Sequence, residues 1–346
     1  MQELAGRAGV STRSLTDFEG GTQTPSAATK LQLARALRFP VEFLSDADPV
    51  EIPAAAVSFR ALTRTTARKR DQAISSAIVA FELASWIANR FALPATDIPQ
   101  FPGIDPETAA EAVRSNWGLG EKPISNMVHL LEARGVRVFT LVEECHEIDA
   151  FSLWDGVTPY VFFNTTKSAE HGRMDAAHEL GHLVLHHDPL ACLRDRAAER
   201  DAQRFAGAFL MPERSVKARA PQQAVLSNLI AAKHHWKVSL SSLVVRMHGL
   251  GLLSDWQYRS LFVAMSSRGY LQLEPNSGPR ETSQVLAKAL GLLRDRGFTP
   301  SDIAHDLHVG VETLNKLIFG LTLTPLEGSG DALQQFAAQR PELRVI

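Results

Sequence analysis

The chain has 346 residues, with 36 Lys or Arg against 38 Asp or Glu and a formal net charge of −2. Single cores usually stop growing near ~250 to 300 residues, so two or three domains are expected, and the near-neutral charge excludes a polycation that coats nucleic acid, confining any DNA contact to a local patch. The two cysteines, Cys145 and Cys192, exclude a disulfide scaffold and thiolate-rich zinc clusters, leaving the 12 histidines as candidate ligands.

The N-terminus, Met1 to Arg7, has neither an apolar core nor a cleavage-site pattern. The longest apolar stretch, Ala77 to Ala88, is interrupted by Glu82 and is too short to span a bilayer, so a cytoplasmic protein without membrane association is expected. Residues 1–45 read as short helices separated by tight turns, ending in an apolar-periodic helix from Ala28 to Leu37 and an extended segment from Phe39 to Leu44. Residues 46–71 read as a linker, with Pro49, Pro53 and an acid-free basic run of Arg60, Arg64, Arg68, Lys69 and Arg70. Such a run suits a solvated surface, and beside a DNA-binding unit it could also touch phosphates. A larger region, 72–275, follows, and 276–346 reads as a further helical region.

Within 72–275 the spacing predicts helices from Gln72 to Ala92, Glu107 to Trp117 and Ile124 to Arg134, with Pro94, Pro99, Pro102 and Pro106 punctuating the first gap. The period then changes. Val136 to Leu141, Ala150 to Trp154 and Tyr160 to Phe163 read as strands, with Asp155-Gly156 as the turn between the last two, and helices resume from about Arg173. A small sheet inside a helical chain is an α+β arrangement.

The strongest chemical signal is His178-Glu179-Leu180-Gly181-His182 in a run of helical periodicity. Histidines at i and i+4 lie one turn apart on one helix face, the spacing two imidazoles need to bind one Zn²⁺. On a helical wheel Met174, Ala177, Gly181, Val184 and Leu185 form the apolar stripe, His178 and His182 sit at its edge, and Glu179 points further out. Three carboxylates are candidates for a third ligand. Asp188 continues the helix, but Leu185 stands where a glycine would be needed for the chain to turn back. Glu199 and Asp201 lie on a helix from Ala197 to Leu210 whose stripe is Ala202, Ala206, Phe209 and Leu210; Glu199 and Gln203 project from that stripe, whereas Arg200, Asp201 and Arg204 project from the other side. A carboxylate on a packing face costs several kcal/mol unless neutralised, which a metal would do, so the wheel favours Glu199. Gln203, one turn on, has the reach for a hydrogen bond to a ligand side chain. In such a site Zn²⁺ keeps a position open for water and lowers its pKa towards ~7, while Glu179 serves as general base and then as acid towards the leaving amine. His171, His186, His187 and the pair His234-His235 read as packing or surface groups.

Arg173 to His186, taken with Glu199 to Ala206 and Phe209-Leu210-Met211-Pro212, resembles the ImmA/IrrE family of zinc metalloendopeptidases, and the strands Asp149 to Trp154 and Phe162-Phe163-Asn164 are similar too. The likeness covers roughly residues 72–275. It implies a zincin-like domain with a small sheet, and it maps the family's third zinc ligand onto Glu199. Gln203 departs from the Asn or Asp more usual in the family. The implied substrate is a DNA-binding repressor, cleaved to relieve repression in a stress or mobile-element response. The alternatives are a transcription regulator or an antitoxin-like protein whose zincin domain senses or binds rather than cleaves.

The opening segment, Gln2 to Gly21, has a helix-turn-helix pattern: Ala5 permits a close crossing, Gly9 permits the turn, Val10 and Leu15 fill the shared core, and Ser11 caps the second helix. It resembles the Xre or phage-repressor class, which nominates Ser11, Thr12, Arg13 and Thr16 for DNA contact. Relative to a complete bundle of that class it begins at the second helix, so some apolar surface is expected to be exposed, and Glu3, Asp17 and Glu19 offset its basic groups. Units of this kind often work as dimers, which leaves a homodimer open. A weaker stretch of similar pattern, Pro300 to Leu317, reads as a helical hairpin that packs on the peptidase or makes a dimer contact, because few basic groups lie on its second helix.

Overall fold

In a computed structural model, which describes residues 1–45, 66–141, 148–186, 196–318 and 320–322, capping side chains set many helix boundaries. Helix α1 (Gln2–Ala8) stops at Gly9, whose φ of 65° is left-handed. Helix α2 (Thr12–Glu19) starts after Ser11, whose side chain accepts from Ser14 N, and α3 (Ala27–Leu37) starts after Ser26, which accepts from Thr29 N. Ala5, Ala8, Leu15, Leu33 and Ala36 form a small core of their own, separate from the main one. Leu31, Leu37 and Phe43 remain exposed beside it. The expected extended segment 39–44 is instead a 3₁₀ turn at Glu42–Leu44. The Phe39 and Phe43 rings lie 4.6 Å apart, whereas residues four apart in a strand would be about 13 Å apart.

Helix α4 (Ala67–Ala88) begins within the expected linker and ends before Ala92. Arg and Lys are good helix formers and add a turn at its start. The rest of that linker, with Arg60 and Arg64, lies outside the described residues. Helix α5 (Pro106–Asn116) is capped by Asp105, and α6 (Met127–Ala133) starts at Met127 rather than Ile124 because Asn126 accepts from His129 N. Gly135, at φ 83°, lets the chain enter the sheet hard against Ala95, whose carbonyl oxygen would lie 2.5 Å from any Cβ there.

Among the described residues the sheet has strands β1 (Arg137–Thr140), β2 (Ala150–Asp155) and β3 (Thr158–Phe163) in the order β1-β3-β2. β1 runs parallel to β3, and β2 pairs with it antiparallel through the Asp155-Gly156 turn. Among the described strands β2 stands at one end of that order. Phe151 stacks on Phe162 at 4.6 Å across the ladder.

Helix α7 (Ala169–Leu185) starts four residues earlier than expected because Ser168 caps it. It is buried almost all round from Arg173 to Leu185, so the single apolar stripe of the wheel is corrected: this is a central helix between the sheet and α8 (Arg196–Leu210). Its last carbonyls find partners in the Pro-rich segment, where Gln100 Nε2 donates to Leu183 O and Phe101 N to Val184 O, both at 2.8 Å. Helices α9 (Glu213–Arg219), α10 (Leu226–Trp236), α11 (Leu240–Gly249) and α12 (Asp255–Ser267) follow. A strap then leads to α13 (Gln284–Asp295), α14 (Pro300–Asp306) and α15 (Val311–Ile318). One hydrophobic cluster runs from Ala73 to Leu321 and takes in Ile303, Val309, Leu314 and Leu317, so the α14–α15 hairpin packs on the body of the protein. No helix among the described residues is long and apolar enough to cross a membrane.

Candidate metal centre

Helix α7 brings His178 and His182 to one face, and α8 crosses it to deliver Glu199. Gly181 permits the crossing: a Cβ there would lie 3.1 Å from Ala202 Cα and 3.2 Å from Ala202 O, both backbone atoms of α8. The three side chains converge. His178 Nε2 and His182 Nε2 are 3.0 Å apart, and each lies 3.3 Å from an oxygen of Glu199. Two atoms bound to one tetrahedral zinc at ~2.0–2.1 Å stand about 3.3 Å from each other, so the donor set fits such an ion in both spacing and chemistry. Burial alone would raise the Glu199 carboxyl, but the two imidazoles facing it hold it well below the usual carboxylate range.

Glu179 is buried at 3% exposure rather than pointing outward. Ser152, on β2, donates from Oγ to Glu179 Oε2 at 2.7 Å. The wheel misplaced Glu179 because it treats every residue off the apolar stripe as solvent-facing, and a sheet packs on that side of the helix. Ser152 had a signal of its own, a hydroxyl inside the apolar run Ala150-Phe151-Ser152-Leu153-Trp154, where a buried polar group must find a partner.

The other candidates separate clearly. Gln203 is exposed on α8 one turn beyond Glu199, Asp201 lies outside the group that converges, and Asp188 and His187 fall outside the described residues. His234 and His235 belong to α10 and do not join the cluster. His186 does approach it: its Nδ1 lies 3.2 Å from His182 Nδ1. A second group, Asp149, His171 and Asp175, also has closely spaced donor atoms. There, however, the Lys167 ammonium pairs with Asp149 and lies 3.2 Å from His171 Nε2, so the protein already supplies the cation. Ser11, Thr12, Arg13 and Thr16 are all exposed on the first turns of α2 and its cap.

A buried pair of histidines with a carboxylate, beside a second, hydrogen-bonded glutamate, is a donor set that could hold a metal ion. Residues 131–248, from the end of α6 to the end of α11, match the IrrE N-terminal-like domain, a peptidase family. The matched span is about a third of the chain and contains the sheet, α7 and α8. A peptidase family of this kind implies a metal, and His178, His182 and Glu199 can hold one. No curated protein matches the chain.

Proposed function

We propose that the chain is a zinc-dependent endopeptidase of the ImmA/IrrE type, in which His178, His182 and Glu199 hold the metal and Glu179 handles protons. The observation that carries this is the convergence of three donors from two helices beside a buried glutamate that a serine hydroxyl orients. When bound, Zn²⁺ supplies Lewis-acid activation of a peptide carbonyl and of water. Glu179, next in sequence to a ligand, takes the proton from water and returns it to the leaving amine. The Ser152 hydroxyl, donating to Glu179 Oε2, orients that carboxylate.

The substrate proposed is a DNA-binding repressor, on the strength of the family resemblance. The small N-terminal core with Ser11, Thr12, Arg13 and Thr16 exposed supports a helix-turn-helix role in bringing the peptidase to the repressor's operator. The test is cleavage of a candidate repressor by the parent and by Glu179→Gln, with zinc measured in both. About one zinc per chain is expected in each, and Glu179→Gln should lose at least ~10²-fold in rate, the lower bound for removing a general acid-base group. Undiminished cleavage by Glu179→Gln overturns the mechanism.

A further inference from the structure

One histidine near the centre has no role in the proposed ligand set. His186 follows His182 by one turn, and its backbone N–H donates to His182 O at 3.0 Å, so the last turn stays closed and the two side chains meet. Their rings are 5.2 Å apart with a 45° tilt, and the two Nδ1 atoms lie 3.2 Å from each other. On the opposite side of the His182 ring, Nε2 faces His178 and Glu199. A ligand imidazole that gives its Nε2 lone pair to a metal carries its proton on Nδ1. A buried N–H without an acceptor costs ~1–3 kcal/mol.

We propose that His186 is a positioning residue that accepts the His182 Nδ1 proton and so holds His182 in the tautomer and ring orientation that presents Nε2 to the metal. This rests on the proposed metal centre. For both rings to be satisfied, His186 accepts through Nδ1 and carries its own proton on Nε2. It is not itself a ligand, because the nitrogen that meets His182 does so on the side away from the converging donors, and the group of three closes without it. His178 differs, since its Nδ1 is buried with no hydrogen-bond partner. His182 is therefore the ligand histidine whose orientation a neighbouring side chain fixes.

The test compares the parent, His186→Phe and His186→Asn for zinc affinity by chelator competition and for the visible absorption spectrum of the Co²⁺-loaded protein, with circular dichroism to verify folding. Phe fills the space without an acceptor, whereas Asn places an oxygen where Nδ1 stood. His186→Phe should bind zinc about 10- to 100-fold more weakly and show a shifted Co²⁺ spectrum. His186→Asn should restore affinity and spectrum close to the parent. Parental affinity and spectrum in a folded His186→Phe overturn the proposal. Should His186→Phe fail to fold, His186→Asn decides alone, and a folded Asn variant as weak as the Phe expectation also overturns it. Loss of stoichiometric binding in both folded variants would make His186 a ligand instead. Failure of the parent to bind either metal removes the centre itself, and the positioning role with it.

Discussion

Helix α7 carries two buried clusters of ionisable side chains, and they differ in one respect that decides what each is for. Near its N-terminal end, Glu170 receives Ser277 Oγ at 2.6 Å, Gly278 N at 3.0 Å and Lys233 Nζ at 3.3 Å. Lys233 lies 2.9 Å from Glu274, which in turn accepts from Leu240 N at the start of α11. One turn on, Arg173 pairs with Glu281, whose carboxylate also accepts Met127 N and Val128 N at the start of α6. Every carboxylate there meets a protein cation or a backbone N–H. Near the other end, Glu199 instead faces two imidazoles, and the donor atoms of His178, His182 and Glu199 converge on one point. The balanced cluster is a latch that ties the strap at 274–281 to α6, α7, α10 and α11. The convergent one is the proposed metal site. The same distinction sets aside Asp149, His171 and Asp175, where Lys167 supplies the cation.

Glu199→Ala gives the largest contrast. It should abolish stoichiometric zinc binding by metal analysis, because it removes one of the three converging donors. Retained zinc at parental affinity would break the assignment of Glu199 as the third donor. Lys233→Met attacks the latch. Lys233 is 1% exposed, and removing it leaves Glu170 and Glu274 buried without their ammonium, a loss of about 3–5 kcal/mol in urea unfolding. Zinc stoichiometry of the folded fraction should not change.

Gly181→Ala is intermediate, because the new methyl meets α8 backbone and pushes the two helices apart. It should cost about 1–3 kcal/mol, despite the better helix propensity of alanine, and weaken zinc binding in the same variant. Unchanged affinity would mean that the helix crossing does not set the donor spacing. The smallest effect is a pH dependence. Burial pushes the Glu170 carboxyl up, but hydrogen bonds from Ser277, its own backbone and Gly278, with the Lys233 ammonium, outweigh it and leave the pKa below the ordinary value. A carboxyl depressed in the folded state contributes stability above its unfolded pKa of ~4.3, begins to lose it as pH falls past that value and has lost it below the lower folded pKa. The stability gap between the parent and Glu170→Gln should therefore narrow in urea melts run from pH 7 down to pH 4. A gap that widens on acidification would reverse the sign assigned to Glu170.

Much of this could be read directly from residue order. The His178-Glu179-x-x-His182 spacing guarantees two imidazoles on one helix face, because i and i+4 are neighbours on any α-helix. The wheel of α8 singled out Glu199 over Asp201, since a carboxylate in line with Ala202 and Ala206 has to face whatever those alanines pack on. The three strands followed from alternation and from the Asp155-Gly156 turn. Other features were illegible for physical reasons. A wheel shows one partner face, and α7 has a sheet on one side and α8 on another, so Glu179 was placed outward. The 3₁₀ turn after α3 depends on two phenylalanine rings meeting, which local propensity does not report.

The sequence by itself determined which donors share a helix face, where most helices and strands lie, and that cysteine chemistry is excluded, because these depend on local periodicity and composition alone. Only the tertiary structure decided that Gly181 lets α8 come close enough for Glu199 to complete the group, that Ser152 meets Glu179, and that Glu170, Arg173 and Lys233 form a latch. Those outcomes turn on contacts between residues far apart in the chain, whose partners are chosen by how helices and sheet pack and not by any pattern along the chain.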